Sequence, residues 1–153
     1  MSTPEERIAE LGLTMPSDSP PLAAYVPAVR SGDLVFTAGQ LPRRDGELVA
    51  TGKVGAEVTP EVAAEAAAAC ALNALAAIKG EVGDLSAVRR VVKVVVFVAS
   101  APDFTGQPGV ANGASELLGK VFGDAGVHAR SAVGVAVLPL DVPVEVELVV
   151  EVG

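Results

Sequence analysis

The residues best equipped for chemistry lie together in the last quarter of the chain, from His128 to Glu151. This stretch holds the only histidine, the pair Arg130-Ser131 and the glutamates Glu145, Glu147 and Glu151. From Val144 onward the alternation has period two. Val144, Val146, Leu148 and Val150 point to one face of a strand, and Glu145, Glu147, Val149 and Glu151 to the other. Leu138-Pro139-Leu140-Asp141 with Pro143 reads as a tight reversal, which makes an antiparallel hairpin of the strand before it and the glutamate strand after it. With the turn centred on Leu140 and Asp141, Gly134 and Ala136 fall opposite Glu147 and Glu145. Small residues there leave open space above a carboxylate face, which is how a strand pair makes a pocket floor. The plainer reading of the same alternation is a solvated polar face.

Other chemistries find little support. The single cysteine, Cys70, excludes an internal disulfide and a multi-cysteine metal site, and in an alanine-rich helix it reads as a small buried hydrophobe. His128 has no partner at metal spacing and reads as a loop residue holding the approach to Arg130, so no metal site is expected. The glycines at 80–83 and 106–113 lack the strand-turn-helix context of a phosphate cradle.

The elements that must position these residues follow from local grammar. Thr3-Pro4-Glu5-Glu6 is an N-cap, a first-turn proline and first-turn acids, predicting a short helix to about Glu10. A proline-rich connector, Met15 to Pro21, leads into the body of the fold, dividing the chain into a leader at 1–21 and a single domain at 22–153. Tyr25 to Val29 and Leu34 to Ala38 read as a hairpin, closed by Gly39-Gln40-Leu41-Pro42. Gly39 is expected at a bulge or a close backbone approach. Arg43 to Gly46 reads as a turn and Glu47 to Ala50 as a short third strand. Thr59-Pro60-Glu61 starts a long buried helix that Gly80 is expected to end. Val91 to Val98 is a nearly continuous apolar run, the pattern of a central strand covered on both faces. Helices cover one face; in so short a chain the other cover is a second copy. Gln107 to Phe122 reads as a second helix with Asn112, Glu116 and Lys120 on its polar side, Glu116 and Lys120 being an i,i+4 pair.

At 153 residues the chain is one domain with room for a proper core. The net charge of −8 argues against a nucleic-acid partner, which needs a basic face. The N-terminus has no apolar run behind its charges, and no stretch reads as a membrane span, so a cytoplasmic protein without membrane contact is the default expectation.

Three separated motifs carry a resemblance. Tyr25 before the hairpin, Gly39-Gln40-Leu41-Pro42 at its end, and Arg130-Ser131 with Leu138-Pro139 and Val144-Glu145-Val146-Glu147 resemble the Rid/YjgF family of enamine and imine deaminases. The Asn112-Gly113-Ala114-Ser115 stretch and the leader helix resemble a longer subgroup of it. The resemblance implies an α+β, chorismate-mutase-like fold, a six-stranded mixed sheet in the order β-β-β-α-β-α-β-β with two helices on one face. It also implies a homotrimer with ligand clefts between subunits. The implied reaction is hydrolysis of 2-aminoacrylate-type enamines and their imine tautomers to 2-oxo acids and ammonia. In that reaction Arg130 would hold the substrate carboxylate through two parallel hydrogen bonds, and Glu145 would place water and move protons. Tyr25, Gly39, Asn112 and Ala132 would line the cleft. No cofactor is required, because the imine carbon is already electrophilic. One departure stands out: many deaminase members carry cysteine or threonine where this chain has Ala132, which leaves backbone and water to bind there and points to a shifted or larger substrate. The competing class is a non-catalytic trimer binding a small carboxylate, in which Glu145 would gain nothing. A ribonuclease or translation inhibitor fits the acidic charge poorly.

Overall fold

A computed structural model describes residues 2–17 and 24–153. The proline-rich connector beyond Ser17 and the expected boundary at 21/22 lie outside the described residues. Helix α1, Pro4–Glu10, carries the full capping box: Thr3 accepts from the Glu6 N–H, and the Glu6 carboxylate accepts from the Thr3 N–H. Its buried Ile8 packs into the core, and Arg7 donates to the Val121 carbonyl at 3.1 Å.

Strands β1, Ala28–Ser31, and β2, Leu34–Thr37, form the first hairpin, starting three residues later than Tyr25. Arg43–Arg44 (β3) and Glu47–Leu48 (β4) pair only with each other around Asp45-Gly46, both at positive φ. The expected third strand is thus a separate ribbon, and the main sheet has five strands, not six. Helix α2, Pro60–Val82, runs past Gly80 and ends at Gly83, whose φ of 88° an L-residue rarely takes and whose N–H caps the Lys79 carbonyl. Strand β5, Val88–Ala99, is the long valine run; α3 spans Gln107–Phe122 as expected; β6 is Ala129–Val135 and β7 Val144–Val152. The Glu116–Lys120 pair does not close to salt-bridge distance; the ion pairs among the described residues are Lys53–Asp141 and Lys79–Glu5.

The sheet order is β1-β2-β7-β5-β6. β6 and β7 do not pair: β5 lies between them, parallel to β6 and antiparallel to β7. This corrects the hairpin reading and the placement of Gly134 and Ala136 opposite the glutamates. The reversal at Leu138–Asp141 is real, with Leu140 and Asp141 both at φ 58°, but the eight-residue connection from Ala136 to Pro143 steps over the end of β5. The valine run offers the most apolar surface, so it takes the slot between the two strands and satisfies a ladder on each side.

Helices α2 and α3 pack on one face of the sheet, against Val94, Val96, Val98, Val144, Val146 and Leu148. Length and composition alone would let α2 cross a membrane, but most of it is buried inside this core. The opposite face keeps apolar side chains uncovered in the single chain: Val29 is 52% exposed, Phe36 43% and Val133 44%.

Candidate functional site

Strand pairing sets which way each candidate residue points, because directly paired residues share a face. Arg130, Ala132 and Gly134 on β6 pair with Val94, Val96 and Val98, so they project to the helix side. Glu145 and Glu147 on β7 pair with Phe97 and Val95 and project to the uncovered side. Arg130, level with Leu148, and Glu145 therefore stand two strands apart, roughly 10 Å across the sheet, and three residues apart along it, roughly another 10 Å, on opposite faces.

Arg130 sits on the edge strand beside α3. Its Nη1 donates to the Asn112 Oδ1 at 2.8 Å and to the Ser115 Oγ at 3.1 Å, and its Nη2 makes a long 3.4 Å contact with the Pro108 carbonyl. Ser115 also meets the His128 Nε2 at 2.8 Å, and the His128 Nδ1 lies 2.6 Å from the Gly126 carbonyl. Asn112 and Ser115 are three apart on one helix, which puts both above the same strand. Ala132 is half-buried against the core, and its lack of a polar side chain leaves the strand surface beyond Arg130 open. Further along, a cavity of about 490 Å³ lies between the end of β5 and the first turn of α3, lined by Lys53, Ser100, Phe104, Gln107 and Gly134.

The second cluster forms where β2 leaves β7. Phe36 pairs with Val149, and pairing resumes at Gln40 with Val146, so four steps on one strand oppose three on the other. This is a β-bulge. The Leu148 N–H, which regular pairing would give to a backbone carbonyl, donates instead to the buried Thr37 hydroxyl at 3.0 Å. The bulge carries Gly39 against Glu145: a Cβ at Gly39 would stand 2.9 Å from the Glu145 Cδ and closer still to its carboxylate oxygen. Glu145 is half-buried there, and that burial, followed by the charge of Glu147, pushes its carboxyl above the ordinary carboxylate range. Beneath it Cys70 is fully buried, its thiol reaching the Val144 carbonyl.

The structure thus brings together Arg130, Asn112 and Ala132 on one side and Gly39 and Glu145 on the other. Tyr25 stands apart, 56% exposed ahead of β1. Ser115 stands in the sequence only as part of the Asn112–Ser115 stretch, with no role of its own, because a serine inside a helix announces nothing; its i,i+3 spacing from Asn112 is the available signal. His128 does hold the approach to Arg130, through Ser115.

A model of the Endoribonuclease L-PSP family matches residues 16–152. Protein TCP17 of Trypanosoma cruzi is 46% identical over 145 residues, covering 94% of this chain and 91% of that protein. Among solved structures, protein Atu1372 of Agrobacterium tumefaciens, of unknown function, superposes with a TM-score of 0.93 at 46% identity, covering 98% of this chain and 92% of the other. TdcF of E. coli, solved with bound serine, gives 0.64 at 26% identity, with 92% and 96% covered.

Proposed function

The chain belongs to the Endoribonuclease L-PSP family, the YjgF/Rid family, and on that premise we propose that it hydrolyses small 2-imino acids and their enamine tautomers to 2-oxo acids and ammonia. The observation that carries this reading is the guanidinium of Arg130. Its Nη1 is tied to Asn112 and Ser115 of α3, and its Nη2 makes only a long contact with the Pro108 carbonyl, so the Nε–Nη2 edge is the less committed one. Two parallel N–H groups on that edge match the two oxygens of a carboxylate. The serine bound by TdcF is a small α-amino acid, and the proposed substrates share its carboxylate and α-nitrogen.

A carboxylate held at Arg130 leaves the adjacent imine carbon facing the bare strand at Ala132. Water adds to that carbon, the nitrogen takes a proton, and the resulting carbinolamine expels ammonia as the C=O forms. Glu145 orients the water and passes the proton, and the burial that raises its carboxyl makes it a better proton carrier than an exposed carboxylate. Glu145 points away from Arg130 in its own chain, so the acting glutamate comes from a second copy. The uncovered face bearing Phe36, Val133 and Glu145 is the surface such a copy would cover, as a cytoplasmic homotrimer would. The cavity beyond Ala132 gives room for a substrate side chain larger than that of 2-aminoacrylate.

A carboxylate-binding protein without turnover would use Arg130 equally but would gain nothing from a second carboxylate nearby. The net charge of −8 weighs against RNA as the substrate. The test is ammonia and 2-oxo acid release from 2-aminoacrylate and 2-iminobutanoate, generated in situ by a dehydratase. Wild type should accelerate release, Arg130→Ala should abolish it, and Glu145→Gln should lose turnover while still binding a 2-oxo acid. Binding without acceleration by the wild type would replace this reading with the binding one.

A further inference from the structure

We infer that His128 and Ser115 are positioning residues for Arg130, forming a directional hydrogen-bond relay that holds the guanidinium by Nη1 and keeps Nε and an Nη2 hydrogen available to a carboxylate. The functional consequence rests on the carboxylate reading above; the relay itself rests on geometry alone. The chain of donors ends at the Gly126 carbonyl, which can only accept. The His128 Nδ1 at 2.6 Å must therefore carry a hydrogen. In the neutral ring the Nε2 is then bare and can only accept, so the Ser115 hydroxyl, 2.8 Å away, donates to it. With its one hydrogen committed, Ser115 has only lone pairs left to offer, and one of them receives Arg130 Nη1 at 3.1 Å. Each link dictates the polarity of the next.

The far end of the relay is rigid. Gly126 is buried at the end of the turn Gly123–Gly126, so close to α3 that a Cβ there would lie 2.8 Å from the Leu118 carbonyl carbon. The carbonyl that orients His128 is therefore seated on the same helix that supplies Ser115 and Asn112.

The near end has a simple count. Nη1 has two hydrogens, and Asn112 and Ser115 take both. Nη2 spends one on the long contact with Pro108, and among the described residues Nε spends none. Two short bonds to Nη1 and one long contact at Nη2 fix the guanidinium plane, while Nε and the second Nη2 hydrogen stay available. A carboxylate can then dock on an arginine whose rotameric freedom is already restricted, which lowers the entropic cost of binding.

The test uses the full chain with ¹⁵N-labelled arginine, comparing wild type with His128→Phe, His128→Gln and Ser115→Ala. In wild type the two Arg130 Nη1 hydrogens should appear as separate, slowly exchanging NMR signals. His128→Phe and Ser115→Ala should merge them by freeing rotation about Cζ–Nη1, and His128→Gln, which returns an acceptor to Ser115, should restore them. Pyruvate titration should show Kd weakened about tenfold in His128→Phe and Ser115→Ala and largely recovered in His128→Gln. Unchanged Arg130 signals and Kd in folded His128→Phe would overturn the relay, as would a glutamine variant no better than the phenylalanine one. Should His128→Phe not fold, Ser115→Ala alone decides by the same signals. A wild type that binds no pyruvate, with Arg130 signals still merging in the variants, would sink the carboxylate reading and leave the relay standing.

Discussion

Replacing Gly113 by alanine pits two effects of known size against each other on a single helix. Gly113 lies where α3 crosses α2, and a Cβ there would stand 2.7 Å from the carbonyl carbon of Ala64 and 3.0 Å from its Cα, with the oxygen nearer still. Carbon atoms pack at about 3.5–4.0 Å, so relief requires the helices to part by roughly 1 Å. The atoms in the way are backbone, and no rotamer change can substitute for that movement. Overpacking of this kind costs about 3 kcal/mol at the upper end of its range. Against it stands the higher helix propensity of alanine, about 1 kcal/mol. The net is a loss of about 2 kcal/mol, or a Tm lower by about 4–8 °C in a chain of this size. Gly119, six residues on in the same helix, is the control, since a Cβ there meets nothing within 4 Å. Gly119→Ala should keep only the propensity gain, about 1 kcal/mol and 2–4 °C upward. Urea and thermal denaturation followed by circular dichroism at one fixed protein concentration measures both. A Gly113→Ala variant as stable as wild type, or a Gly119→Ala variant that falls alongside it, would refute the reasoning.

Glu145 makes stability depend on pH in a definite direction. Its carboxyl sits above the ordinary range, so between the unfolded and native values the native chain holds a proton that the unfolded chain has lost, and stability falls as pH rises through that window. Glu145→Gln should match wild type at low pH and exceed it at pH 7, and parallel urea midpoints across pH would refute this. Cys70 is fully buried, and that burial, then the charge of Glu145, pushes its thiol well up. It should resist a disulfide-exchange reagent in the native protein and react once unfolded, whereas rapid native labelling would contradict the packing. Leu118→Ala, at a wholly buried site on the inner side of α3, should cost about 3 kcal/mol, and Val127→Ala, 67% exposed, no more than about 0.5 kcal/mol by the same denaturation assay.

Local chemistry was legible wherever one residue decides its own surroundings. Thr3 and Thr59 cap helices because their hydroxyls meet N–H groups three residues on, and α3 begins and ends where its pattern does. Two glycines follow Lys79, and only a backbone angle separates Gly83, which ends α2, from Gly80, which does not. The larger miss was the slot between β6 and β7. Leu140 and Asp141 announce a reversal, but a turn says nothing about which distant strand comes to lie inside it. β5 is 40 or more residues upstream, and its place follows from summed apolar burial that no local window contains. The same misreading placed Arg130's strand beside the glutamates and turned it to their face. The strands and helices that carry these residues were legible one by one, and their mutual geometry was not.

The opposed faces of Arg130 and Glu145 have a genetic consequence. If each cleft takes its arginine from one chain and its glutamate from the next, a chain lacking one still donates the other. Two inactive proteins, Arg130→Ala and Glu145→Gln, would then complement when unfolded together and refolded as a mixture. In any closed ring assembled at random from equal amounts, about one cleft in four joins an intact arginine to an intact glutamate. Two alleles that are each null would rescue one another in the same cell, and the double mutant, mixed with wild type, would poison clefts on both of its sides.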